Sequence, residues 1–523
     1  MKNLNLIKTS LFIAAATILI TGCGDDNPGG VPGSSLDFII SDNATLNPSG
    51  VAPLTALIQI ETEEPVRVRL RVLGKNGSAS DVIHEFEQVD TTLEIPVLGL
   101  YANFENEVEL TFFDDTGSDL GTKSYTIQTT ALLADLPEIE IDVANENRMA
   151  EGFTFANYFG HREGGNPTPQ RAFIFDRFGD IRWYLNYAGD SDLNNLFYDN
   201  GMERLANGNL FFGDRSSQKI YEIDMFGEIL NSWEMPGYGF HHDVIEKPDG
   251  DFIATVNKFG ESTVEDYIIE IDRNNGAIIN EWDLNLSLDN TRRAWETNLA
   301  DLNVDWFHAN AVSYDPADNT IIVSGRTQGT VKLTENNEVV WILAPHKEWD
   351  TAGNGEDLNQ FLLQPLDSDS QPITDESVKS GDVNHPDFEW SWYQHATNIL
   401  PDGNLMLFDN GENRNFSGTG TYSRAVEYEI DEENMTIRQV WQYGKERGPE
   451  TYSRIVSDVD FFPVENHVFF TPGAVSFNGD YGKVIEIDYD SGDVLFEATI
   501  RPPVPAFGLI TLHRSERMSL YPE

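Results

Sequence analysis

The sequence predicts an all-β chain in two parts, and three observations carry that prediction. Short runs alternating polar and apolar residues recur along most of the chain, divided by turns rich in Gly, Asn and Asp. From about residue 140 onward, a strand, a four-residue Asp–Gly type turn and a longer apolar strand recur as a unit. A second unit, a hairpin of the kind "IYEID…GEILNSWEM", recurs beside it with an aromatic residue near its end.

Taken in order, the first residues are an address. Lys2 and Lys8 give a basic start, and the apolar stretch from Leu11 to Ile20 is too short to span a bilayer as a stable anchor. It ends in Ile20-Thr21-Gly22-Cys23, which resembles a bacterial lipobox. Residues 1–22 are therefore expected to be a lipoprotein signal peptide, with Cys23 lipidated. Residues 23–36, rich in Gly, Pro, Asp and Ser, form a flexible tether. The chain is expected to be exported and anchored to a membrane, in the periplasm, at the outer membrane or on the cell surface.

Residues 37–132 read as a small β-domain. Thr55–Thr62, Val66–Val72, Thr92–Leu98, Glu107–Phe113 and Ser124–Thr130 are strand-like, and an immunoglobulin-like sandwich is the expected arrangement. Residues 140–523 carry the repeats. Turn units appear at "LANGNL" (205–210), "EKPDGDF" (246–252) and "LPDGNL" (400–405). Hairpins fall near Ala172–Leu185, Ile220–Met235, Tyr267–Leu284, Val331–Leu343, Ala425–Tyr443 and Val484–Ile500. One turn unit joined to one hairpin makes a four-stranded antiparallel sheet, so six hairpins predict a six-bladed β-propeller. The long connection 344–390, with a helical pattern near Leu358–Leu366, is expected to act as a lid.

Composition narrows the function. The chain holds 34 basic and 87 acidic side chains for a net charge of −53, which makes nucleic acid a poor partner. An anionic substrate would need a local cationic site. With Cys23 the only cysteine, there is no intramolecular disulfide and no cysteine-ligated metal.

Aligning the repeats on their turns exposes the chemistry. "HDVIEKPDG", "HANAVSYDPADN" and "HATNILPDG" begin with His242, His308 and His395, and the same slot in an earlier repeat holds Asn200. First strands of propeller blades line a central channel, so equivalent ends converge on one mouth. The antiparallel second strand returns Arg326 to that mouth, together with Asn257 and Lys258, and Asp409 and Asn410. Three imidazoles and a guanidinium suit a tetrahedral anion: arginine offers a fixed fork of donors, and neutral histidine a nucleophile or general base. His241 alternates with His242 and is expected to face away in support. His84, His161, His346, His385, His467 and His513 read as ordinary structural residues. Three histidines can also hold a metal, with Asp243 and Asp305 near, but Arg326 on the same rim opposes a cation, so no metal and no cofactor is expected.

The segments "HHDVIEKPDG", "DWFHANAV" then "IIVSGRTQG", and "WYQHATNILPDGNLMLFDNG" then "SRAVEYEID" resemble the bacterial arylsulfate sulfotransferases that use no nucleotide sulfate donor. "LNPSGVAPLTALIQI" is similar to the start of that family's N-terminal domain. The resemblance implies His395 as the nucleophile that carries the sulfuryl group. It implies His308, Asn310 and Arg326 as ligands of the sulfuryl oxygens, with His242 sharing that task or moving protons. It further implies ping-pong transfer from an aryl sulfate to a phenol through a sulfohistidine. Phe240, Trp306, Phe307, Trp392 and Tyr393 are candidates to stack on the aryl ring. A homodimer is compatible with the sequence. Competing readings are a metal-dependent propeller lyase or hydrolase, and a non-catalytic binding or adhesion propeller.

Overall fold

The structure is a computed structural model that describes residues 36–162, 170–197, 201–294, 299–418, 420–475, 481–503 and 507–522. The signal segment 1–22, Cys23 and Asn200 lie outside the described residues. The described residues divide into two compact units, one of those in 36–48, 56–97 and 107–127, the other of those in 49–55, 98–106 and 128–522.

The first unit is a five-stranded antiparallel sheet. The two expected strands 55–62 and 66–72 are one 17-residue strand, Ala56–Val72. Its first half pairs with Ile39–Leu46, its second half with Glu105–Phe113, and both halves with Val82–Val97. Pro65 cannot donate to a ladder, and the register breaks there, between Glu61 and Val66. Alternate residues Ile58, Ile60, Val68 and Leu70 are buried, as the period-2 pattern requires. The strand Ile39–Leu46, exposed along most of its length, gives no comparable alternation and has no counterpart in the sequence reading.

The second unit holds six sheets among the described residues, antiparallel throughout except for one edge strand. Each expected hairpin is found, one per sheet: Arg171–Phe175 with Ile181–Tyr184, Lys219–Ile223 with Ile229–Glu234, Tyr267–Ile271 with Ile278–Asp283, Gly329–Thr334 with Val339–Leu343, Arg424–Asp431 with Thr436–Tyr443, and Gly482–Asp488 with Val494–Arg501. The aromatic ending each repeat has a specific duty. Trp183, Trp233, Trp282, Trp341 and Trp441 lie on the second hairpin strand, and each indole N–H donates to the hairpin turn of the following sheet. The acceptors are the carbonyls of Met225, Arg273, Thr334 and Tyr489, and the Glu432 carboxylate, at 2.7–2.9 Å. Phe496 of the last sheet instead meets Phe175 of the first, with ring centroids 6.4 Å apart. A tryptophan thus buries a large apolar body while its one donor stays satisfied.

Two pairings close the unit. The last strand, Phe507–Met518, pairs with Phe153–Arg162 and completes the first sheet. Glu138–Ala144 pairs with Val494–Arg501 and completes the last one. Six strands occupy equivalent edges of the six sheets: Glu203–Arg204, Tyr238–Glu246, Ala309–Asp315, His395–Ile399, Asp458–Phe462 and Phe507–Met518. Side chains link neighbouring edge strands, as in Ser313 Oγ to Thr397 Oγ1 at 2.7 Å and Asn398 Nδ2 to the Val459 carbonyl at 2.7 Å.

The connection 344–390 departs from its expected role. Leu358–Phe361 is one 3-10 turn, and Gln364–Leu366 adds a parallel edge strand beside Thr436–Tyr443. Its apolar residues, Leu363, Ile373 and Val378, are packed into the core, so it extends a sheet instead of covering a site. Among the described residues, no helix is long and apolar enough to cross a membrane.

Candidate active site

The three repeat histidines meet, and a local break in the ladder aims each of them. Register shifts fall between Phe240 and Val244, Ala309 and Ala311, and His395 and Asn398, all in the edge strands named above. His242 and His308 have φ of 59° and 58°, and Ala396 has 50°. Non-glycine residues in the left-handed region cost about 1–3 kcal/mol each, and such kinks turn a side chain out of the ladder's alternation. The kink at His242 also brings His241 round. The Thr255 hydroxyl fills the gap by accepting from Asp243 N at 2.8 Å and donating to the His241 carbonyl. His241 therefore faces the same cavity as His242, with ring centroids 4.1 Å apart, and does not face away as plain alternation predicts.

The cavity is about 320 Å³. His241, His242, His308, His395 and Arg326 line it, and so does His513, which the sequence reading set aside. The Nε2 atoms of His242 and His308 lie 2.8 Å apart, and the His242 and His395 ring centroids 6.4 Å apart. Two carboxylates stand among them. Glu265 bridges His241 Nε2 at 2.7 Å and His308 Nδ1, and Asp305 reaches His308 Nδ1 at 2.9 Å and Arg326 Nη2 at 3.1 Å. Glu265 has φ of 59° and is held by Asn257 Oδ1, which accepts from its N–H at 2.7 Å. That is the place of Asn257, while Lys258 turns to Glu281 at 2.8 Å, away from the cavity. Gly325 is needed beside Arg326: a Cβ there would stand 2.5 Å from the Phe307 ring.

Burial decides most of the charge states. His395 is pushed down to about 3 by burial, with His308 and Arg326 acting in the same direction and Asn410 opposing. Burial and the neighbouring imidazoles hold His242 well below the ordinary range. For His308, burial and Arg326 act downward, but Glu265 and Asp305 outweigh them and leave it raised. Arg326 and His308, the latter shifted toward its protonated form and both paired with carboxylates, thus face two imidazoles held toward the neutral form.

Asn410 holds His395. Its Nδ2 donates to the carbonyls of Ser453 at 2.8 Å and Val456 at 3.0 Å, so its Oδ1 must be the atom 2.7 Å from His395 Nδ1. The Tyr393 carbonyl, 3.0 Å away, accepts from the same nitrogen. Nδ1 therefore carries the hydrogen and Nε2 the lone pair. Asp409 takes no part: it is fully buried between Arg414 at 2.9 Å and Arg424 at 2.8 Å. Asn310 does not line the cavity, and its Nδ2 donates to the Gln394 carbonyl at 2.8 Å, directly before His395. Phe240, Trp306, Phe307, Trp392 and Tyr393 are 0–1% exposed and pack between sheets, so they do not present a face to a ligand. Phe197, Leu299, Ile455 and Val456 supply the apolar part of the lining instead.

Two overlapping triads could hold a metal ion: His241, His242 and Glu265, and Glu265, Asp305 and His308, each with ligand atoms within 4.8 Å of one another. Arg326 lies beside the second of them.

Comparison with known proteins agrees with the two units. A family model described as arylsulfotransferase (ASST) matches residues 139–504, and one described as the arylsulfotransferase Ig-like domain matches residues 43–130. A relative in Escherichia coli O6:H1 (strain CFT073), named arylsulfate sulfotransferase AssT, is 28% identical over 95% of both chains. A second of the same name, from Lelliottia amnigena, is 30% identical over 91% of this chain and 92% of its own.

Proposed function

The chain belongs to the arylsulfotransferase family, and from that premise we propose that it moves a sulfuryl group from an aryl sulfate ester to a phenol through His395. The observation that carries this reading is the tautomer of His395. A buried, neutral imidazole with Nδ1 tied to two oxygen acceptors presents a lone pair on Nε2. In the first step Nε2 attacks sulfur, an N–S bond forms, the S–O bond to the ring breaks, and phenoxide leaves with the electron pair. Arg326 and His308 meet the charge on the sulfuryl oxygens. In the second step an acceptor phenol loses its proton, its oxygen attacks sulfur, and the N–S bond breaks. We assign the proton to His242, neutral and in contact with His308. One pocket then serves donor and acceptor in turn, which is ping-pong transfer.

The six sheets of the second unit are read as the blades of a six-bladed propeller, closed by the last strand, with the histidines at one channel mouth. The lipobox at Ile20–Cys23 supports export as a lipoprotein. Cys23→Ala should move the protein from the membrane fraction to the soluble or unprocessed one, and unchanged fractionation would remove that part of the reading.

Donor without acceptor should leave a sulfuryl group on His395, found by intact mass and peptide mapping at neutral or alkaline pH, because N-sulfoimidazole is acid-labile. His395→Ala should lose the adduct and transfer together. The metal triads make a metal-dependent lyase or hydrolase the second reading, so the assay is run with and without chelator. Activity that disappears with chelator and returns with zinc would favour that reading over ours.

A further inference from the structure

Residues 453–457 form a strained turn, of which the chemistry above uses only the Ser453 and Val456 carbonyls that hold Asn410. Val456 has φ of 51° and Ser457 of 91°. A β-branched residue in the left-handed region is a genuine outlier, and it persists only where its surroundings over-determine it. Here they do. Ser453 Oγ donates to the Ile455 carbonyl at 2.9 Å and accepts from Ala474 N at 2.9 Å. Ser457 Oγ donates to Ser453 Oγ at 2.9 Å and accepts from Gly473 N at 3.0 Å. Ser423 Oγ accepts from Ser453 N at 2.8 Å and reaches the Asn410 carbonyl at 2.8 Å. Three serine hydroxyls pin one short turn.

Two things come of this pinning. The carbonyls of Ser453 and Val456 take both hydrogens of the Asn410 amide, which fixes the oxygen toward His395. The side chains of Ile455 and Val456, half-buried, are turned into the cavity that His395 lines. The rest of that lining is mostly imidazole, carboxylate and guanidinium, with Phe197 and Leu299 the other apolar members. An apolar wall and a nucleophile are thus built on one turn, joined through a single amide.

We propose that Ile455 and Val456 are the face against which the aryl ring of donor and acceptor lies, and that the Val456 carbonyl, which a glycine at 456 would also supply, is a positioning element for His395 acting through Asn410. This rests on the sulfuryl-transfer reading and adds a specificity determinant to it. The wall selects a flat apolar group next to the sulfuryl site, and the amide keeps the lone pair of His395 aimed at sulfur when that group is seated.

The test uses the full chain and two donors of different ring size, 4-nitrophenyl sulfate and 4-methylumbelliferyl sulfate. Val456→Gly relieves the backbone strain and removes half of the wall, leaving Ile455, so it should fold with an unchanged or higher melting temperature. Its KM should rise about tenfold for both donors, with their KM ratio moving toward one, while kcat changes less than threefold. Val456→Ala should shift KM the same way by a smaller factor, and stands in if the glycine variant does not fold. Asn410→Ala should show the opposite split: kcat and the rate of adduct formation fall at least tenfold with KM nearly unchanged. The binding arm is independent of turnover. In a His395→Ala background, affinity for 4-nitrophenyl sulfate should drop about tenfold when Val456→Gly is added. Wild-type protein that turns over neither donor would sink the sulfuryl-transfer reading. Unchanged KM and unchanged affinity in the Val456 variants would overturn the wall while leaving that reading intact.

Discussion

The same edge strands build two different cavities at their two ends. At their starts, His242, His308 and His395 line the imidazole cavity. At their far ends, Glu246, Tyr314 and Ile399 line a second cavity of about 370 Å³, together with Glu203, Asp460 and Arg514. Burial acts on both ends by the same rule and yields opposite chemistry. It lowers His395 and His242, which leaves imidazoles with lone pairs. It raises Asp460 in the second cavity and its neighbours Asp458 and Glu516, the last to about 7, which favours the protonated form of these carboxyls. Arg326 at one end and Arg514 at the other show the contrast. Arg326 pairs with the Asp305 carboxylate at 3.1 Å. Arg514 is clamped by Asp243 at 2.8 Å and Glu203 at 3.3 Å. The first can turn to an anionic ligand, whereas the second is committed to the fold.

The largest expected effect lies at the acidic end. Arg514→Met strips the fully buried Asp243 of its ionic partner and should destabilise the chain by about 3–5 kcal/mol, the range for breaking a buried pair. Denaturant unfolding measures it. Below the unfolding range the variant should keep most of its turnover, and collapsed turnover at unchanged stability would break the contrast by making that end part of the chemistry.

Arg326→Lys is the converse case. A point charge cannot reproduce a planar fork, so turnover should fall on the order of a hundredfold while the melting temperature barely moves. Steady-state rates and a melting curve on one preparation decide it, and near-wild-type rates would reduce Arg326 to a structural role.

The smallest effect sharpens the comparison through pH. Burial raises the folded Glu516 to about 7 from an ordinary 4.5, so between those values the folded chain keeps a proton that the unfolded chain has released. The stability Glu516 contributes is therefore full below about 4.5 and lost as pH rises to about 7. Glu516→Gln should flatten part of this decline. The imidazole end slopes the other way, because buried neutral His395 makes stability fall as pH drops below about 6.5. A melting-temperature profile in which Glu516→Gln keeps the full wild-type decline would show that this carboxyl does not titrate as described.

The sequence revealed most where a feature repeats. Six hairpins, their closing tryptophans and three histidines in one slot are periodic, and periodicity survives in one dimension. Arg326 was legible because an antiparallel strand must return to the face it left. His513 was not, since its strand pairs with Phe153–Arg162, some 350 residues earlier, and shares no turn unit with the others. Glu265 was missed for a related reason: it stands outside the repeat slots, in a loop, and enters the cavity through a positive φ that no residue pattern announces. The expected stacking aromatics were misread because a ring beside a motif is equally suited to filling the space between sheets.

By itself, then, the sequence determined the all-β class, the number of hairpins, the lack of an intramolecular disulfide and the convergence of three imidazoles with one guanidinium. Each follows from local chemistry or from period. Only the tertiary structure decided which way His241 faces, which carboxylates charge His308, and which nitrogen of His395 holds the lone pair. These depend on kinked backbone and on amides and carbonyls contributed by segments far apart in the chain, such as Asn410 and Val456, where direction is set by packing and not by residue type.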